Sequence, residues 1–269
     1  MLATSLCLLM AAAPAVPADV DCAPLPMASS SKLPFRAGEH LDFDIDVLGG
    51  LKIGAVGMEV GVPERQSKIL LLPIKAHGVA SGLAASVGKL DSTATTWLRI
   101  HDLHPQHYRE DYVQPNGQFW TEVLFPTALP HQIHLRFGQP NGTGERAFGY
   151  GNDVLDVVGV FYLLRTLQPK FGDRLCFDLY GSRHVWRVWG KVDGRESLTT
   201  PAGSFATLRL SGHAARLDKQ EEVREVFLWL TDDARRLPVA AMGELEIGPL
   251  RALLTGVGGE TKGPKSTRR

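Results

Sequence analysis

Apolar and polar residues alternate with period two through most of the chain, the spacing of strands that bury one face. Leu41, Phe43, Ile45 and Val47 alternate with Asp42, Asp44 and Asp46, Gly49-Gly50 turns the chain, and Leu51 to Val62 returns it as the second arm of a hairpin. Further strands are expected at 67–76, 93–100, 106–114, 118–125 and 132–137, set off by Pro105, Pro115-Asn116-Gly117, Pro126, Pro130 and Asn141-Gly142. The pattern resumes at 174–180, 184–192, 205–214, 223–231, 237–247 and 250–256, with a turn at Pro201-Ala202-Gly203. Residues 79–89, rich in Ala and Gly, fit either a short helix or an ordered loop.

One stretch breaks the rhythm. In NDVLDVVGVFYLLRTL, residues 152–167, the apolar side chains at 154, 157, 158, 160, 161, 163, 164 and 167 fill an arc wider than the stripe of a surface helix. A helix from Asp153 to Leu167 is predicted, capped by Asn152, favoured by Asp153 and Asp156 near its positive end, and stopped by Pro169 and Gly172. It is expected to be buried on most sides as a fixed plug, with Phe161 fully enclosed. The predicted fold is therefore mainly β: a curved antiparallel sheet, or partly open barrel, packed around one central buried helix. Two packed sheets with the helix at their junction are the alternative.

The ends differ from the middle. Residues 1–18 carry an apolar run from Leu6 to Ala13 and small residues suited to cleavage after Ala15 or Ala18, as in a secretory signal peptide, although no Lys or Arg precedes the run. Residues 19–32 form a Pro/Ser-rich leader, 33–257 the β domain, and 258–269 a polar tail expected to be disordered, like the leader. The apolar run is too short for a transmembrane span, and no later segment supplies one. These features predict an exported protein, in the periplasm after cleavage. Removal of Cys7 with the signal would leave Cys22 and Cys176, which either pair, stapling the leader to the domain, or remain as two small thiols. Lys plus Arg equals Asp plus Glu at 29 each, so no global field recruits nucleic acid.

Pro34-Phe35, Gly38-Glu39, Gly54, Arg165-Thr166, Gly172-Asp173, Gly194-Arg195-Glu196, the run Pro201 to Phe205, Trp229 to Asp233 and Arg236-Leu237-Pro238 form an ordered series. On this series, from about Leu33 to Val257, the chain resembles the DUF3108 family of exported bacterial proteins. The resemblance implies an envelope location and an uncharacterised role, and it carries no catalytic residues over.

Few constellations suggest chemistry. His101, His104 and His107 offer imidazoles for a metal, but Pro105 excludes the helix that would stack them, and a loop between strands is the plainer reading. Asp42, Asp44 and Asp46 share a strand face that suits solvent better than calcium, since Val47 and Ile53 stand where a calcium loop needs Gly and Glu. Ser29 to Lys32 and Ser86 to Lys89 fit S-x-x-K without its companion motifs. Trp186 and Trp189, at odd separation, should point to opposite faces of a strand, one of them free to line a groove. Arg165, on so apolar a helix, needs an acid, for which Glu196 and Asp232 are the candidates. With no catalytic set and no cofactor motif, the expected function is non-catalytic: binding of a lipid or other amphipathic envelope component in the concave sheet. A scaffold for an envelope protein partner, contacted through strand edges or the His-rich loop, is one alternative. A cell-wall glycan or peptide hydrolase using Glu110 and Asp111 is another, disfavoured because adjacent strand residues point apart.

Overall fold

A computed structural model describes residue 25 and residues 33–47, 50–82, 91–126, 132–150, 154–245 and 248–259. The first meander comprises β1 (His40–Val47), β2 (Leu51–Val60), β3 (Glu64–Gln66), β4 (Ile69–Ala80), β5 (Asp91–Arg99), β6 (Pro105–Gln114), β7 (Gly117–Leu124), β8 (Gln132–Gln139) and β9 (Gly142–Gly149). Then come β10 (Val154–Asp156) and helix α1 (Gly159–Thr166). The second meander continues with β11 (Arg174–Gly181), β12 (His184–Thr200), β13 (Gly203–Arg216), β14 (Lys219–Thr231), β15 (Pro238–Leu245) and β16 (Gly248–Gly258).

The sixteen strands of the described residues belong to one sheet, in the order β10 to β16, then β1, β2 and β4 to β9, with β3 paired beside β4. The alternative of two separate packed sheets does not hold. The last strand joins the first: β16 runs antiparallel to β1 from His40↔Gly258 to Val47↔Leu250. Yet the two edge strands are close in sequence, because Gly149 ends β9 and Val154 begins β10. Five residues reach at most about 18 Å, so the sheet must curl through nearly a full turn. It does not close edge to edge. Asp156 of β10 accepts a hydrogen bond from Thr96 Oγ1 of β5 at 2.6 Å, and Tyr180 of β11 meets Tyr108 of β6 and the Phe125 ring edge-on. The β10–β11 edge is thus tucked against the inner face of the first meander.

Alternation explains the faces of that meander. One row across it reads Glu59, Lys75, Thr95, Arg109, Glu122, Arg136 and Glu145, polar throughout, with Arg136 bridging Glu145 at 3.2 Å. The next row reads Ile74, Thr96, Tyr108, Val123 and Leu135, every one buried. Sheet period two therefore separates a solvated outside from an apolar inside.

The predicted helix is corrected in its first half. Val154, Leu155 and Asp156 form a strand parallel to Asp178–Tyr180 of β11, and only Gly159–Thr166 is helical. Residues 154–156 are buried throughout, so their periodicity does not separate strand from helix, and β-branched Val favours the strand. Asn152, the expected cap, lies outside the described residues. Asp156 does the capping instead, accepting from the N–H groups of Val158 and Gly159 at 2.9 and 2.8 Å. The helix stops where expected: Gln168, at φ 47°, precedes Pro169.

Phe161 is also corrected, being half-buried; Tyr162 and Leu163 are the enclosed side chains. Leu25, in the leader expected to be disordered, is buried in the core. Strands β3 and β9 escape hydrophobic patterning because both are largely exposed. The alternatives for residues 79–89 resolve only in part: β4 extends to Ala80, and 83–90 lie outside the described residues. The expected signal segment, Cys22, Ser29 to Lys32 and the tail from Glu260 onward also lie outside them.

Candidate functional site: an apolar cavity beside the helix

The inner faces of the two meanders differ in side-chain size. Across β11 to β16 one row reads Leu175, Gly190, Gly212, Val226, Gly243 and Leu250, flanked by Ala214, Ala241 and Ala252. The glycines at 190 and 212 are required by close backbone approach, since a Cβ on either would lie 2.8 Å from the other's Cα. Gly243 is different, because a Cβ there meets nothing within 4 Å. Where the first meander fills its inside with Ile, Tyr, Val and Leu, the second leaves room.

Helix α1 covers this face only in part. Val160, Phe161 and Leu164 face it, while a Cβ on Gly159 would press on Leu98 of β5, so the helix stands between the two meanders. The space between helix and second meander is a cavity of about 470 Å³, lined by these residues with Leu175, Phe177, Leu179, Trp186, Val188, Leu210 and Leu228. Such a volume falls in the range of about 300–1,000 Å³ typical of small-molecule sites. Val157, 37% exposed, stands where the lining meets solvent. Its side chain rests on Gly181, where a Cβ would lie 2.6 Å from Val157 Cγ1.

Charge at the lining is sparse: Lys191, Arg224 and Glu244 are the only ionic residues. The Arg224 guanidinium lies 5.2 Å from the centre of the Trp186 ring and donates to the Glu244 carbonyl at 3.3 Å. Of the two tryptophans, Trp186 thus shares the cavity side with Val188 and Arg224. Trp189 stacks on His213 at 5.6 Å and borders the lining next to Gly190.

The helix is held from its other end by a buried ion pair that corrects the expected partners of Arg165. Its Nη1 and Nη2 donate to Glu39 Oε1 and Oε2 at 2.5 and 3.0 Å, and it also donates to the carbonyls of Pro34 and Arg235. The guanidinium also lies 5.0 Å from the Phe35 ring centre and 5.4 Å from that of Tyr162, two rings that meet edge-on. Glu196 instead accepts from Trp229 Nε1, and Asp232 pairs with Arg195 and Arg236. The buried Asp156 carboxyl has its pKa raised by burial, against the opposing pull of its hydrogen bonds from Thr96, Gly159 and Val158.

The remaining candidates are scattered. His101 and His104 both face Asp102, whereas His107 approaches Glu122 at 3.1 Å and stacks on Trp97. Among the described residues no three His, Cys, Asp or Glu side chains gather to hold a metal ion. Asp42, Asp44 and Asp46 go separate ways, to His40, Lys52 and Arg251. Glu110 accepts from Ser92, while Asp111 is clamped by Arg109. Cys176 is held in a disulfide. Among the described residues no helix is long and apolar enough to cross a membrane. The sequence pointed to the concave sheet and to a groove at one tryptophan but not to these walls; the available signal was small residues recurring two apart, at Gly212 and Ala214 and at Ala241 and Gly243.

A family model described as a protein of unknown function, DUF3108, matches residues 42–255. No curated protein matches in sequence. Among solved structures, a β-barrel-like DUF1849 protein from Brucella abortus superposes with a TM-score of 0.53 at 7% identity, covering 82% of this chain and 96% of that one. A presumed exported protein with a YmcC-like fold from Bacteroides fragilis gives 0.38 at 9% identity over 86% and 99%. The hypothetical lipoprotein YmcC of Escherichia coli gives 0.34 at 8% over 81% and 84%.

Proposed function

The chain belongs to the DUF3108 family, and from that premise we propose that it is a non-catalytic protein of the bacterial envelope that holds an apolar or amphipathic envelope component beside helix α1. The observation that carries this reading is the cavity of about 470 Å³, walled by aliphatic and aromatic side chains with charge only at Lys191, Arg224 and Glu244. Water gains little in such a space, whereas a hydrocarbon chain removes its own surface and that of the wall from solvent. The apolar run of residues 6–13 followed by small residues supports export.

Gly243→Phe provides the test, because position 243 points into open space and the ring fills the cavity without displacing backbone. Native mass spectrometry of protein purified from a bacterial envelope extract should show a bound small molecule on the natural chain. Extraction with organic solvent should release it. The folded Gly243→Phe variant should carry none. Equal retention by both chains, or an unbound natural chain, would overturn the reading.

A further inference from the structure

Resting on the binding reading above, we propose that the occupant is a single-chain anionic amphiphile, with its hydrocarbon in the cavity and its anionic group on Arg224. Several arginines of the second meander are neutralised by carboxylates: Arg187 by Asp178, Arg209 by Asp193, Arg216 by Asp218 and Arg251 by Asp46. Among the described residues no carboxylate lies within ion-pair distance of Arg224, which spends one N–H on a carbonyl. Its guanidinium, stacked over Trp186, is oriented at the cavity wall with donors left over. The acid two residues before it, Glu222, feels the charge of Arg224 at longer range but is engaged directly by Lys219 at 3.0 Å and by Arg216. Glu225 projects from the opposite strand face, and exposed Glu244 offers its carbonyl.

A half-buried guanidinium at the edge of an apolar wall selects a ligand that is charged at one end and apolar along the rest. Its planar donors suit a carboxylate or a phosphate equally. The cavity's volume, in the lower part of the small-molecule range, suits one chain.

The experiment uses the full chain, loaded with the neutral fluorophore N-phenylnaphthylamine and titrated with hexadecanoate, hexadecyl phosphate, hexadecanol and hexadecyltrimethylammonium. Both anions, or one of them, should displace the probe about tenfold more tightly than the alcohol, the gain expected from a charge-assisted hydrogen bond. Whichever anion is preferred identifies the head group as carboxylate or phosphate. The cation should be weakest. In Arg224→Gln the ratio of anion to alcohol affinity should fall to about one, and in Arg224→Lys most of it should return. A natural chain that binds alcohol and anions alike, or a preference that survives Arg224→Gln, overturns the head-group assignment while leaving the cavity reading intact. No displacement by any of the four, or probe binding unaffected by Gly243→Phe, overturns the cavity reading and this inference with it.

Discussion

Arg165 has no side-chain exposure, and Glu39, two carbonyls and two aromatic rings take the place of its water. Arg165→Leu should cost about 3–5 kcal/mol, since it leaves Glu39 uncompensated in a largely buried place. The double change with Glu39→Leu should recover much of that loss. Urea titrations of the four species of the cycle check this, and strictly additive effects would rule the coupling out. Asp156 makes the opposite case. Its pKa is raised in the folded protein, chiefly by burial, so folding favours the protonated form. The stability this supplies is fully present below the unfolded carboxyl pKa, about 3.9, and is lost as pH rises through the higher folded value. In Asp156→Asn, which keeps an acceptor for Val158 and Gly159, the pH-dependent part should vanish. The stability gap between the two proteins should therefore shift in favour of the variant as pH rises above about 4. A gap independent of pH would refute the assignment. Arg165 was legible as a residue needing an acid; its acid was not, because the two are 126 positions apart.

At the scale of elements, α1 is short, eight residues, and its two sides do different things. Leu163 is fully enclosed, whereas Phe161 borders the cavity. Leu163→Ala should lose about 2–5 kcal/mol, and Phe161→Ala less, about 1–2 kcal/mol, because truncation there enlarges an existing space instead of opening a new one. Denaturant midpoints decide the order, and a larger loss at Phe161 would show that the helix is sealed on that side too. Strands that bury one face were readable from alternation, as in Leu41 to Val47. Strand β9 was not, since Gly142 to Gly149 is largely exposed and carries no alternating apolar signal. The β10 strand was misread because three buried residues contain too little periodicity to choose between 2 and 3.6.

For the whole molecule, alternation, turn residues and one wide apolar arc established a β-rich chain with a single buried helix, and an ordered series of short motifs indicated its family. These are local properties: each depends on a residue and a few neighbours along the chain. The tertiary structure alone decided that β16 pairs with β1, that the β10–β11 edge tucks inside the roll, and that Arg165 meets Glu39. Those outcomes depend on which distant surfaces bury one another. The cavity belongs to the same class. Gly190, Gly212 and Gly243 are ordinary glycines in sequence, and become a recess only because antiparallel register sets them in one row opposite a helix too short to fill it.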